Sequence, residues 1–99
     1  MSPAGPPPIR VLVVEDDFRV AKLHADLVGA VDGFEVVGVA HTAADALAMA
    51  ADEQPDLVLL DEYLPDERGS AIISRLGAAV IVISAETDAV QSPRVAGAN

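Results

Sequence analysis

Four short aliphatic runs are spaced along this chain, and segments with helical periodicity separate them. The runs lie at residues 9–14 (IRVLVV), 34–39 (FEVVGV), 57–60 (LVLL) and 79–83 (AVIVI). Runs that are apolar nearly throughout, rather than alternating, are typical of strands buried on both faces. The order βαβαβαβ therefore predicts an α/β fold, in which helices cover both faces of a parallel sheet.

The ends of the helices also have local signals. Thr42 is expected to be the N-cap of the second helix, with Asp45 three residues further on in a pattern similar to a capping box. Pro55 is expected to end that helix. Either Gly29 or Gly33 can end the first helix, and Gly77 closes the third.

Length and composition limit the class of protein. With 99 residues the chain predicts one domain, in which residues 1–8, with four prolines, form a flexible leader and residues 9–99 form the folded part. The absence of cysteine suits a reducing cytoplasm. No apolar run reaches the length of a membrane span. The net charge of −10 argues against nucleic-acid binding by this segment, because phosphates would be repelled.

Polar side chains follow three of the predicted strands at the point where each strand ends. Acidic residues 15–17 follow the first strand, residues 61–62 follow the third, and Ser84 follows the fourth. The carboxyl ends of parallel strands share one edge of the sheet, where ligands bind at the reversal of winding. If the first and third strands are neighbours there, Asp16 and Asp61 converge. The alternative is that acids at strand ends only mark the turn into solvent.

A convergent group of carboxylates has a definite chemistry. Neighbouring negative charges repel, and a bound divalent cation offsets that repulsion. Oxygen ligands without nearby histidine or cysteine favour a hard ion, above all Mg²⁺. A carboxylate beside Mg²⁺ can attack phosphorus and become an aspartyl phosphate. The pattern therefore indicates a metal-assisted phosphoacceptor.

Three segments resemble the signature segments of response-regulator receiver domains from bacterial two-component systems. They are VLVVEDD (11–17), PDLVLLDEYLPD (55–66) and VIVISAE (80–86). The motif YLPD (63–66) is similar to the corresponding segment in the citrate/malate-type subgroup of transcriptional regulators. The resemblance implies a flavodoxin-like, doubly wound parallel sheet with strand order 2-1-3-4. It also implies a cytoplasmic phosphorelay protein with a sensor histidine kinase as partner.

The resemblance assigns roles around the metal by position. Asp61 matches the phosphoacceptor. Glu15 and Asp16 match the acidic pair that holds Mg²⁺, with Asp16 as the more direct ligand. Tyr63 matches the position whose backbone carbonyl binds the metal. Asp17 matches no ligand and is expected to cap the first helix.

Two further residues match positions around the phosphoryl group. Ser84 matches the serine or threonine that hydrogen-bonds the phosphoryl oxygens. Ala85 matches the small neighbour that leaves room for the phosphodonor.

The chain departs from the family pattern at its carboxyl end. Receiver domains have a fifth strand, a fifth helix and a lysine at the end of the fifth strand, whereas the only lysine here is Lys22. A receiver that lacks these elements is expected to bind Mg²⁺ but to signal poorly. Its exposed fourth strand and first helix are expected to promote homodimers or domain-swapped oligomers.

Two other classes of function compete with this interpretation. Phosphatases with an aspartyl nucleophile need a second aspartate two residues further on, and Tyr63 occupies that position. No turnover of an external substrate is therefore expected. A degenerate receiver that acts as an unphosphorylated interaction or dimerisation module remains an alternative.

Overall fold

A computed structural model describes residues 5–84 of the chain. In this part, four parallel strands form one sheet in the order β2-β1-β3-β4. The strands and helices follow one another as β1 (Ile9–Val14), α1 (Phe18–Gly29), β2 (Phe34–Ala40), α2 (Ala43–Glu53), β3 (Leu57–Asp61), a 3₁₀ turn (Gly69–Ala71), α3 (Ile73–Leu76) and β4 (Ala79–Ile83). The predicted flavodoxin-like order 2-1-3-4 is confirmed.

The helix ends agree with the sequence signals. Asp17 caps α1, because its Oδ1 accepts hydrogen bonds from the backbone N–H groups of Arg19 (2.9 Å) and Val20 (3.2 Å). Thr42 caps α2 through its Oγ1, which accepts from the N–H of Asp45 at 3.0 Å. The helical spacing of Ile72, Ile73 and Leu76 predicts a third helix. That helix begins only at Ile73, because Gly69–Ala71 before it form the 3₁₀ turn.

The two faces of the sheet are covered unevenly: β1 is buried on both, as its uninterrupted aliphatic run predicts, whereas β4 is largely exposed. On one face, α2 and α3 cover side chains that alternate along β1 and β3. Members of this core are Leu12, Val14, Ala40, Ala43, Ala46, Ala50, Val58, Leu60, Ile72 and Leu76. On the other face, a wholly apolar groove of about 200 Å³ lies between α1 and the sheet, lined by Val11, Val28, Val31, Phe34, Leu57, Leu59 and Ile81.

The ladder between β1 and β2 contains one irregularity. Val11 pairs with Val36, but the next residue, Leu12, pairs with Gly38, so Val37 is an extra residue in β2. Such a bulge shifts the pairing by one residue and bends the strand locally. An added Cβ at Gly38 would lie 3.3 Å from Leu12 Cδ1, so the bulge brings the β2 backbone close to the core.

Candidate functional site

Three carboxylates from two neighbouring strands meet at the carboxyl edge of the sheet. Glu15 and Asp16 directly follow β1, and Asp61 ends β3; the two strands are paired as far as Val14 and Leu60. One carboxylate oxygen from each acid lies within 4.8 Å of the others. The structure thus brings together the three acids that the sequence analysis selected as side-chain ligands.

Glu15 is the buried member of the cluster, with 8% of its surface exposed. Burial raises the pKa of its carboxyl to about 7, and the neighbouring Asp16 and Asp61 also raise it. The N–H of Asp17, which donates to Glu15 Oε2 at 3.2 Å, acts in the opposite direction and lowers that pKa. Without a cation, the ionised form of the cluster is therefore energetically unfavourable.

The side chain of Asp61 is oriented by the backbone two residues further along the chain. Its Oδ1 accepts a hydrogen bond from the N–H of Tyr63 at 3.1 Å, which closes an Asx turn directly after β3. The turn fixes the carboxylate of Asp61 relative to the peptide that carries Tyr63. Both residues line the same cleft, of about 430 Å³.

Helix α1 forms one wall of that cleft. Val20 and His24, one helical turn apart, line it together with the three acids, Tyr63 and Ile83. The sequence analysis did not select His24 as a site residue. The signal that could have found it is the i, i+4 spacing from Val20, because the first turns of α1 start beside the acids.

His41 connects the start of α2 to the acid cluster. Its Nδ1 lies 2.9 Å from the backbone carbonyl oxygen of Glu15, which makes Nδ1 the donor. The imidazole ring stacks on Phe18 with a centroid distance of 3.8 Å and an angle of 8° between the ring planes. His41 thus holds the backbone of the acidic segment in place through this hydrogen bond. Its position in the sequence gave no signal for the contact.

Glu62 stabilises the loop that follows the cluster. Its Oε1 accepts from the N–H of Ser70 at 2.7 Å, and its Oε2 accepts from Ser70 Oγ at 2.9 Å. Arg68 adds an ion pair to the same carboxylate at 3.7 Å and lies 4.9 Å from the centre of the Tyr63 ring. Glu62 therefore has a structural role beside the site, rather than a role as a ligand.

The loop returns so closely to β3 that only glycine fits at residue 69. An added Cβ there would lie 2.4 Å from the backbone oxygen of Asp61 and 3.1 Å from Glu62 Cα. The N–H of Gly69 donates to the carbonyl oxygen of Glu62 at 2.9 Å. The backbone around the acid of β3 is thus packed against the start of the 3₁₀ turn.

Of the two residues expected near a phosphoryl group, the structure describes only Ser84. Ser84 directly follows β4 and is exposed, and its neighbour Ile83 lines the cleft. Ala85 lies outside the described residues.

The donor set fits a hard divalent cation. All three side-chain donors are carboxylate oxygens, and one of them, on Glu15, is buried with a raised pKa that a nearby cation would lower. Glu15, Asp16 and Asp61 could hold Mg²⁺, with the backbone carbonyl of Tyr63 as a further oxygen ligand.

Comparison with known proteins identifies the family. The sequence profile of the "Response regulator receiver domain" matches residues 11–99. The chain belongs to this family. Among curated relatives, the receiver is 46% identical over 65 residues to the transcriptional regulatory protein CitT of Bacillus subtilis (strain 168). That alignment covers 66% of this chain and 29% of CitT, so the chain spans less than a third of that relative.

Solved structures of receivers share the fold. The MaeR response regulator bound to beryllium trifluoride is 29% identical, with a TM-score of 0.70, and the match covers 88% of this receiver and 75% of that chain. The CheX–CheY–BeF₃–Mg²⁺ complex from Borrelia burgdorferi is 25% identical, with a TM-score of 0.72 and coverage of 92% and 74%. The predicted resemblance to receiver domains is confirmed. Within residues 5–84, no helix is long and apolar enough to cross a membrane.

Proposed function

We propose that this receiver accepts a phosphoryl group from a sensor histidine kinase onto Asp61, with Mg²⁺ as cofactor. The observation that carries the proposal is the convergence of Glu15, Asp16 and Asp61 within 4.8 Å at the sheet edge. Three carboxylates at such a distance repel one another, and a bound cation would offset that repulsion. The family match supports a signalling domain, and the printed name of CitT, a transcriptional regulatory protein, supports transcription regulation as the output. We propose the cytoplasm as the location.

The transfer is a displacement at phosphorus. A carboxylate oxygen of Asp61 attacks the phosphorus of a phosphohistidine, the P–N bond breaks, and its electron pair returns to the imidazole nitrogen of the kinase. The product is an acyl phosphate on Asp61. Bound Mg²⁺ supplies positive charge that offsets the phosphoryl oxygens and the acids.

The residues of the chain orient and receive the group. The Tyr63 N–H holds Asp61 Oδ1, so the nucleophile starts from one fixed orientation. We propose that the hydroxyl of Ser84 hydrogen-bonds a phosphoryl oxygen and that the small Ala85 leaves access for the donor. Since Tyr63 stands where a phosphatase would need its second acid, turnover of an external substrate is not proposed.

Lys22 is not proposed to pair with the phosphoryl group. It lies on α1 and forms an ion pair with Asp26 at 3.0 Å, with 77% of its side chain exposed. The proposed Mg²⁺ ligands are carboxylate and carbonyl oxygens, so metal binding does not depend on this lysine.

Beryllofluoride with Mg²⁺ tests the proposed function directly. We expect NMR shifts around Asp61 and Tyr63 in the wild-type chain, and no such shifts in Asp61→Ala, because the fluoride adduct needs the carboxylate. Asp26→Ala, which removes an exposed acid of α1, is the matched control and is expected to respond like the wild type. A wild-type chain that does not respond, or an Asp61→Ala variant that does, would contradict the phosphoacceptor role.

The alternative function, as an unphosphorylated interaction module, is favoured by one observation. Large apolar side chains are exposed on α1 and β4, including Leu27 (58%) and Ile81 (51%). Among possible partners, a second copy of this chain offers a matching apolar surface. We propose homodimerisation, or exchange of an element between copies, through these two surfaces.

We expect Ile81→Lys to shift the chain from dimer to monomer in size-exclusion chromatography with light scattering, because a charge on β4 opposes strand pairing. Asp32→Asn, outside both surfaces, changes the net charge by the same amount and is expected to leave the dimer intact. A wild-type chain that is monomeric at every concentration would rule the dimer out.

A further inference from the structure

The loop between β3 and the 3₁₀ turn, residues 62–68, is tied to a distant helix. Asp66, near the end of this loop, accepts a hydrogen bond on each carboxylate oxygen. Oδ1 accepts from the N–H of Ala43 at 2.8 Å, and Oδ2 accepts from the N–H of Ala44 at 2.9 Å. These are the first two residues of α2, and they lie more than twenty residues away in sequence.

Asp66 supplies hydrogen-bond acceptors for the first backbone N–H groups of α2. The first N–H groups of a helix have no acceptor within the helix and need one from outside. Thr42 supplies an acceptor for Asp45, whereas the two N–H groups before it depend on Asp66. The same two N–H groups lower the pKa of the Asp66 carboxyl, so it is charged at neutral pH.

The start of α2 is in turn tied to the other half of the acid cluster. His41 Nδ1 contacts the carbonyl oxygen of Glu15 at 2.9 Å, and the N–H of Glu15 donates to the carbonyl oxygen of Ala40 at 2.9 Å. Residues 40–44 therefore contact the acidic segment after β1 on one side. On the other side they contact the 62–68 loop through Asp66.

We propose that Asp66 is a positioning residue for divalent-cation binding. Its carboxylate holds the loop that carries Tyr63 in a fixed position relative to Glu15 and Asp16, by way of the start of α2. The inference rests on the proposed function, because the ligands that it positions are those of the proposed Mg²⁺ site. Asp66 itself does not contact the metal.

Titration of the chain with Mg²⁺ alone tests this role, by calorimetry and by the fluorescence of Tyr63, the only tyrosine in a chain without tryptophan. Asp66→Ala is expected to weaken Mg²⁺ affinity about tenfold, as for other residues that orient metal ligands. Asp66→Asn keeps one acceptor oxygen and is expected to lose less. Asp56→Ala is the matched control, since it removes a carboxylate that accepts from the backbone N–H of Arg10 at 2.9 Å but precedes β3, at the opposite end of that strand from Asp61, and its affinity is expected to stay within about twofold.

Amide exchange gives a second measurement that a general loss of stability would not reproduce. Mg²⁺ is expected to slow exchange of the Ala43 and Ala44 N–H groups in the wild type but not in Asp66→Asn. If wild type binds Mg²⁺ and Asp66→Ala binds it equally well, or if Asp56→Ala weakens binding as much, the positioning role is overturned. If the wild type does not bind Mg²⁺, the proposed metal site is overturned, and this role with it.

Discussion

Replacing Gly69 with alanine is expected to destabilise the fold by about 3 kcal/mol and to abolish Mg²⁺ binding at the acid cluster. The added methyl group would lie 2.4 Å from the backbone oxygen of Asp61, and backbone on both sides of this contact cannot rotate away. Relief therefore requires the end of β3 or the 3₁₀ turn to move. Movement at the end of β3 displaces Asp61 from Glu15 and Asp16, and movement of the 3₁₀ turn breaks the hydrogen bond from Gly69 N–H to the Glu62 carbonyl and shifts the loop that carries Tyr63.

Urea unfolding and Mg²⁺ titration of the same variant measure both effects. Gly29→Ala is the matched control, because a Cβ at Gly29, the last residue of α1, meets no atom within 4 Å. Alanine also has the better helix propensity, so the control is expected to be unchanged or more stable by up to about 1 kcal/mol. Normal stability and normal Mg²⁺ binding in Gly69→Ala would show that the close approach does not constrain the site.

Replacing Asp61 with asparagine is expected to have opposite effects with and without metal. In metal-free buffer the variant should be more stable than the wild type by about 1 kcal/mol, because one charge leaves a cluster of three. The asparagine oxygen can still accept from the N–H of Tyr63, so the Asx turn is retained. With Mg²⁺ at about 100 times its Kd, the wild type should gain about 2.7 kcal/mol and the variant much less.

The free energy of unfolding in urea, measured with EDTA and with saturating Mg²⁺, gives the comparison. Asp26→Asn removes an acid that is paired with Lys22 on the surface, and it is expected to change stability by less than about 0.5 kcal/mol in either buffer. An Asp61→Asn variant that is less stable than the wild type in EDTA would contradict the repulsion within the cluster.

The strands and the convergence of the acids could be predicted from sequence because both follow from regular rules. Uninterrupted aliphatic runs mark buried parallel strands, and strand ends share an edge, so Asp16 and Asp61 had to lie near one another once β1 and β3 were paired. The N-caps Asp17 and Thr42 could be predicted because capping is local, within three residues.

The surroundings of the acids could not be predicted in the same way. The contacts of Asp66 with α2 and of His41 with Glu15 join segments far apart in sequence, and no periodic pattern accompanies them. The need for glycine at residue 69 depends on the return path of a loop. The shortened α3 has the same origin, since its apolar residues have helical spacing while the loop closure imposes a 3₁₀ turn first.

The extra residue in β2 limits which changes of length this chain tolerates during evolution. Val37 separates two stretches of β2 that pair with β1 in different registers, and the second stretch leads into His41. A substitution at Val37 leaves this offset unchanged. Deletion of Val37 would leave both registers in place, because Val36 and Gly38 would then be consecutive opposite Val11 and Leu12. A deletion between Gly38 and His41 would instead shift His41 relative to β1 and turn its ring away from the Glu15 carbonyl. Descendants of this sequence are therefore expected to tolerate a change of length at residue 37 better than at residues 38–40.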